Sequence, residues 1–139
     1  MNARSIGYWI TTALVAVGML AGGAMDISRS PQVLEGMAHL GYPAYFAVII
    51  GVWKVGGGLA VLAPRLPLLK EWAYAGIMFD LTGAAASHAA SGDPAGNVAT
   101  PLVLAVVTVA SWWLRPASRR LVPAPGAAAS ASARVPAAA

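Results

Sequence analysis

Residues 43–63 read PAYFAVIIGVWKVGGGLAVLA, an apolar run broken by one charge, Lys54. The hydrocarbon core of a bilayer is crossed by about 20 apolar residues in helical form. Working outward from this run, three others of similar length appear, at about 7–25, 72–90 and 97–114. The run at 72–90 also carries a single charge, Asp80. Strands are excluded by the length of the runs and by the lack of period-two alternation. The sequence therefore predicts an all-α integral membrane protein, a four-helix bundle over residues 1–116.

Composition agrees. The chain is 58% hydrophobic and 10% charged, whereas soluble domains carry about 25% charged residues. Without cysteine, the chain has no disulfide, no cysteine-ligated iron–sulfur cluster and no thiol redox chemistry. A net charge of +4 does not point to nucleic acid, because the basic residues cluster at the ends of the apolar runs. With a cytoplasmic amino terminus, Arg4, Arg65, Lys70, Arg115, Arg119, Arg120 and Arg134 fall inside and Arg29 outside. That asymmetry predicts both termini in the cytoplasm and an even number of spans in the cell membrane. Asp26, Glu35 and Asp93 fall outside and Glu71 inside. Tyr8, Trp9, Trp72, Tyr74, Trp112 and Trp113 would form an inner aromatic belt, with Tyr42 and Tyr45 at the outer one and Trp53 at mid-depth. A cleaved signal peptide is the rival reading of the first run, which is long for such a segment.

The outer loop from Ser30 to Gly41 reads as a short interfacial helix. Ser30 caps it, Pro31 suits its first position and Gly41 ends it. Val33, Leu34, Met37 and Leu40 form its apolar face, and Glu35 and His39 share the other. Residues 117–139 are rich in Pro, Ala and Ser and read as a disordered tail whose basic residues rest on anionic lipid.

An ionisable group at mid-membrane costs roughly 3 kcal/mol or more and usually has a partner. Lys54 and Asp80 come out at matching depth in neighbouring runs, which predicts an ion pair. Such a pair either fixes helix register alone or lines a polar site. Gly76, Asp80, Gly83, Ala84, Ser87 and His88 make one small-and-polar stripe, and Gly51, Lys54 and Gly58 another. Gly18 and Gly22 form a GxxxG, and Ala105, Thr108 and Trp112 line up in the last run. The four runs are expected to pack around these stripes. Ser87 and His88 would extend the site outward, near His39. Two histidines alone are a weak metal signature, and no metal is assigned. No Gly-x-Ser-x-Gly or Walker loop is present, and no catalytic residue is assigned. A four-span multidrug exporter would use a carboxylate in the first run, which has none before Asp26 at its outer edge.

Several blocks together resemble the DoxX-like family. His39-Leu40-Gly41-Tyr42-Pro43-Ala44-Tyr45 is similar to its LGYPxY signature. Gly51-Val52-Trp53-Lys54-Val55-Gly56-Gly57 is similar to its G-x-x-K-x-x-G pattern. Ala63-Pro64-Arg65, the entry Lys70-Glu71-Trp72-Ala73-Tyr74-Ala75-Gly76, and the ending Gly83-Ala84, Ser87-His88, Gly92-Asp93 continue the match. The resemblance implies a small four-helix membrane protein tied to membrane redox complexes, oxidative stress or, in distant animal relatives, receptor assembly. Many DoxX relatives have Gly-x-x-Lys near the end of the first span. Here the region reads Gly22-Gly23-Ala24-Met25-Asp26, so the family's thiosulfate:quinone link is not carried over. The leading expectation is a non-catalytic subunit or accessory factor with a pocket for a quinone or lipid headgroup. A membrane-protein assembly factor and a transporter of protons or small solutes are the alternatives. The partners implied are the bilayer and a membrane oxidoreductase or other membrane protein; a homo-oligomer is also compatible.

Overall fold

The computed structural model describes residues 3–121, which form five α-helices and, among the described residues, no strand. These are α1 (Ala3–Ser28), α2 (Pro31–His39), α3 (Ala44–Leu62), α4 (Pro67–Ala90) and α5 (Ala95–Leu114). By length and composition, α1, α3 and α5 can each cross a membrane. The 24-residue α4 carries Lys70, Glu71 and Asp80 and is less apolar.

Local chemistry sets the boundaries. Ser30 Oγ accepts the Val33 N–H at 3.4 Å and Pro31 follows as the first residue of α2. Gly41, at φ +81°, turns the chain out of α2, a conformation open to glycine at little cost. Pro43 then leads into α3. Gly92, at φ +73°, does the same after α4, and Pro94 leads into α5. The first residues of the expected tail, Ala117–Arg119, form a 3-10 turn, and residues 122–139 lie outside the described residues.

α1 packs between α3 and α5, α4 packs on α5 and more loosely on α3, and α2 touches α3. The apolar core is Val15, Ala16 and Met19 of α1, Ala60 and Val61 of α3, Ala73, Tyr74, Ile77 and Leu81 of α4, and Ala105 of α5. A buried polar chain ties three helices together. Thr12 and Ser111 hydroxyls lie 2.7 Å apart, and Tyr74 Oη is 2.8 Å from Ser111 Oγ. Buried hydroxyls without partners would be costly, so this chain fixes the register of α1, α4 and α5.

Packing corrects three expectations. The close helix approach is made by Gly23 against Gly51, where an added Cβ at either position would meet the other's carbonyl oxygen at 2.7 Å. Gly22 faces open space instead, and Gly18 abuts Leu104. Secondly, α4 enters the core through Lys70, Ala73, Tyr74, Ile77, Leu81 and Ala85, while Gly76 and Gly83 face open space. Bulky side chains bury more apolar area than a stripe of small ones. Thirdly, Tyr8 and Tyr74, placed in the inner belt, are core residues at 0% and 3% exposure.

Candidate functional site

The helix ends meet at two poles. At the first, Arg119 Nη1 donates to Tyr8 Oη at 3.2 Å and to the Leu62 carbonyl at 3.3 Å. Fully buried Lys70 donates to the Ala60 and Val61 carbonyls at 3.0 and 2.6 Å. These are among the last carbonyls of α3, which have no helical partner and sit at the negative end of its dipole. Glu71 accepts from Arg115 Nη2 at 2.7 Å and from the Trp112 indole at 2.8 Å. The starts of α1 and α4 and the ends of α3 and α5 thus share this pole.

Towards the other pole, the Gly23–Gly51 contact brings Asp26 of α1 beside Lys54 of α3. Lys54 Nζ donates to Asp26 Oδ2 at 2.9 Å and lies 3.9 Å from Asp80 Oδ2. Asp26 is the closer partner, a residue that the apolar pattern places at the outer edge of the first run. The apolar run ends at about residue 25, whereas α1 continues to Ser28. The missed signal is Gly23, one turn before Asp26. One lysine between two carboxylates leaves a net negative charge when all three are ionised.

Lys54 and Asp80 line a groove of about 550 Å³ between α3 and α4, where the helices are loosely packed. Gly56, Gly57 and Gly76 keep its walls low, and Trp53, Trp72 and Phe79 stand exposed along it. The groove opens on the molecular surface. It is mainly apolar, with its charged groups at one place, as ligand clefts generally are.

Ser87 and His88 do not join this group. Ser87 Oγ donates to the Gly83 carbonyl at 2.9 Å and receives the Tyr42 hydroxyl at 2.8 Å. Asp93 accepts from His39 Nε2 on one oxygen and from His88 Nδ1 on the other, both at 2.6 Å. These bonds, His88's first, hold the Asp93 carboxyl below the usual carboxylate range. By sequence Asp93 is only an outer acid and a motif residue. It clasps α2 to the α4–α5 connection. Glu35 is exposed on α2. Among the described residues no group of three or more His, Cys, Asp or Glu side chains is placed to hold a metal.

The motif glycines and polar residues thus have separate tasks. Gly51 sets the α1–α3 approach, Gly41 turns the chain, Tyr42 and Asp93 fasten the outer pole, and Glu71 and Tyr74 organise the other. Pro64 lies in the short turn before Arg65, whose φ is +56°, and Pro67 starts α4.

Long apolar helices that carry few charges define a small helical membrane protein. The model of the DoxX-like family matches residues 10–111, and the chain belongs to that family. It is also similar to the protein YdgD of Bacillus subtilis (strain 168), which bears the description uncharacterized. The two are 36% identical over 77 residues, covering 54% of this chain and 65% of that protein. No solved structure matches.

Proposed function

We propose that the protein is a non-catalytic membrane subunit or accessory factor of a redox or stress-response system, holding a quinone headgroup in the α3–α4 groove. The observation that carries this is a surface-open apolar groove of about 550 Å³ with Lys54 and Asp80 in its lining. The residues fit such a group. Lysine has three N–H donors, and the bond to Asp26 uses one. Lys54 can therefore donate to a ring carbonyl while Asp26 and Asp80 hold its ammonium in place. Trp53, Trp72 and Phe79 offer flat apolar surface for the ring and the first units of a tail. A quinone would bring the electron-carrying chemistry; the protein's part is to bind and orient it.

In this reading α4 is a fourth span, residues 1–116 form the membrane domain and 117–139 a tail. Both termini lie on the cytoplasmic side of the cell membrane. The cations Arg4, Lys70, Arg115, Arg119 and Arg120 gathered at one pole support that orientation.

The test is tryptophan fluorescence of the whole protein in nanodiscs, titrated with a short-chain quinone. Saturable quenching that is lost in Trp53→Phe/Trp72→Phe and weakened at least tenfold in Lys54→Met/Asp26→Leu is the expected result. Quenching that does not saturate, or that Lys54→Met/Asp26→Leu leaves unchanged, would refute it.

One observation favours a second reading, an assembly factor. Gly56 and Gly76 face open space beside the groove, as on surfaces that admit a partner helix. Cross-linking from position 56 to another membrane protein, unaffected by added quinone, would favour it.

A further inference from the structure

A separate site lies at the opposite pole, where α1 begins and α5 ends. Arg4 Nη2 donates to the Trp113 carbonyl at 3.1 Å, and Arg120 Nη2 donates to the same oxygen at 2.8 Å. Arg120 Nε also donates to the Arg115 carbonyl at 2.8 Å. Two guanidinium groups are therefore drawn together on one acceptor. Arg115 lies next to them, only 3% exposed, its guanidinium 5.1 Å from the Tyr74 ring and 5.3 Å from the Trp112 ring. Two adjoining clefts, of about 390 and 460 Å³, are both lined by Arg4, Arg115 and Arg120.

The charge balance of this cluster is one-sided. Glu71 answers Arg115, and among the described residues no carboxylate lies within salt-bridge distance of Arg4 or Arg120. The larger cleft has no acid in its lining. Arg115 Nη1 is buried without a hydrogen-bond partner among the described residues, an arrangement that normally costs stability. Capping the end of α5 explains some of the contacts. It uses one N–H of Arg4 and two of Arg120, out of five on each side chain. The donors left over, and the mutual repulsion of like charges, call for an anion.

We infer that Arg4 and Arg120 bind a phosphate group, that of an anionic phospholipid headgroup, with the buried Arg115 guanidinium adding positive charge behind them. Guanidinium forks match phosphate oxygens in pairs. Basic pockets between membrane helices take such headgroups. Trp112 and Trp113 stand partly exposed beside the clefts, and tryptophan favours the depth at which headgroups lie. The site owes nothing to the groove reading and stands or falls apart from it.

The experiment is native mass spectrometry of the full chain released from nanodiscs containing equal phosphatidylglycerol and phosphatidylcholine. Phosphatidylglycerol should remain bound in preference. Its affinity should fall roughly 30-fold in Arg4→Gln/Arg120→Gln, two cations lost near the headgroup. Arg4→Lys/Arg120→Lys, which keeps the charge, should lose only part of it. Arg29→Gln/Arg65→Gln removes as much charge elsewhere and should bind as the wild type does. Equal retention of both lipids, or equal loss in the two glutamine variants, would overturn the site. Inorganic phosphate displacing the lipid completely at equal concentration would overturn the lipid assignment in favour of a free anion.

Discussion

Gly23 and Gly51 face each other so closely that a Cβ on either would sit 2.7 Å from the other's carbonyl oxygen. This contact brings α1 and α3 together and carries Asp26 to within 2.9 Å of Lys54. An alanine at either glycine forces backbone apart, since no flexible side chain can yield. Gly51→Ala should destabilise the protein by about 1–3 kcal/mol. Gly56→Ala, which enters open space, should stay within about 0.5 kcal/mol of wild type. Thermal unfolding in one detergent compares the two, and equal effects would show that the contact carries no packing constraint.

Asp26 is nearer to Lys54 than Asp80 is, at 2.9 against 3.9 Å. Asp26→Ala should therefore lower membrane accumulation more than Asp80→Ala. Lys54→Met leaves two carboxylates facing each other and should be the worst of the three, by about 3 kcal/mol or more. The double change Lys54→Met/Asp26→Leu should recover part of the loss. Quantitative blotting of membrane fractions gives the order, and an Asp80-dominated order would reassign the partner.

Lys70 is fully buried and its ammonium serves the Ala60 and Val61 carbonyls. Lys70→Met keeps the stem's packing and strands both oxygens, a cost of about 1–3 kcal/mol. Hydrogen exchange should locate the loosening at the end of α3 and the start of α4. Unchanged protection there would make the two bonds dispensable.

Asp93 joins His39 and His88, and its carboxyl is held below the ordinary value of 3.8. A carboxylate depressed on folding stabilises the fold above its unfolded value and loses that effect as pH falls through its folded one. Asp93→Asn should thus melt below wild type at about pH 6, with the gap closing as pH drops past about 3.8. The readout is the difference in Tm across that range. A gap that persists in strong acid would mean that the clasp does not depend on the carboxylate's charge.

The sequence alone determined the class of the protein. Apolar runs of membrane length, punctuated by Gly and Pro, encode helices because a buried backbone must satisfy its own hydrogen bonds. The cap at Ser30 and the turn at Gly41 were legible for the same local reasons, and the motif blocks marked the family. The isolated charges Lys54 and Asp80 stood out as candidates, since a lone ion in an apolar run is conspicuous by its cost.

What touches what was decided only by the tertiary structure. Whether Gly22 or Gly23 makes the close contact depends on how α1 is rotated about its axis, and one residue is about 100° of that rotation. The same rotation sets Asp26, at the outer edge of its run by sequence, beside Lys54. The turn at Gly92 likewise folds Asp93 back onto His88, a contact that the periodicity of α4 alone does not show. Lys70 and Arg115 were countable as charges but not as a buried helix cap and a cleft wall, because burial depends on which surfaces meet.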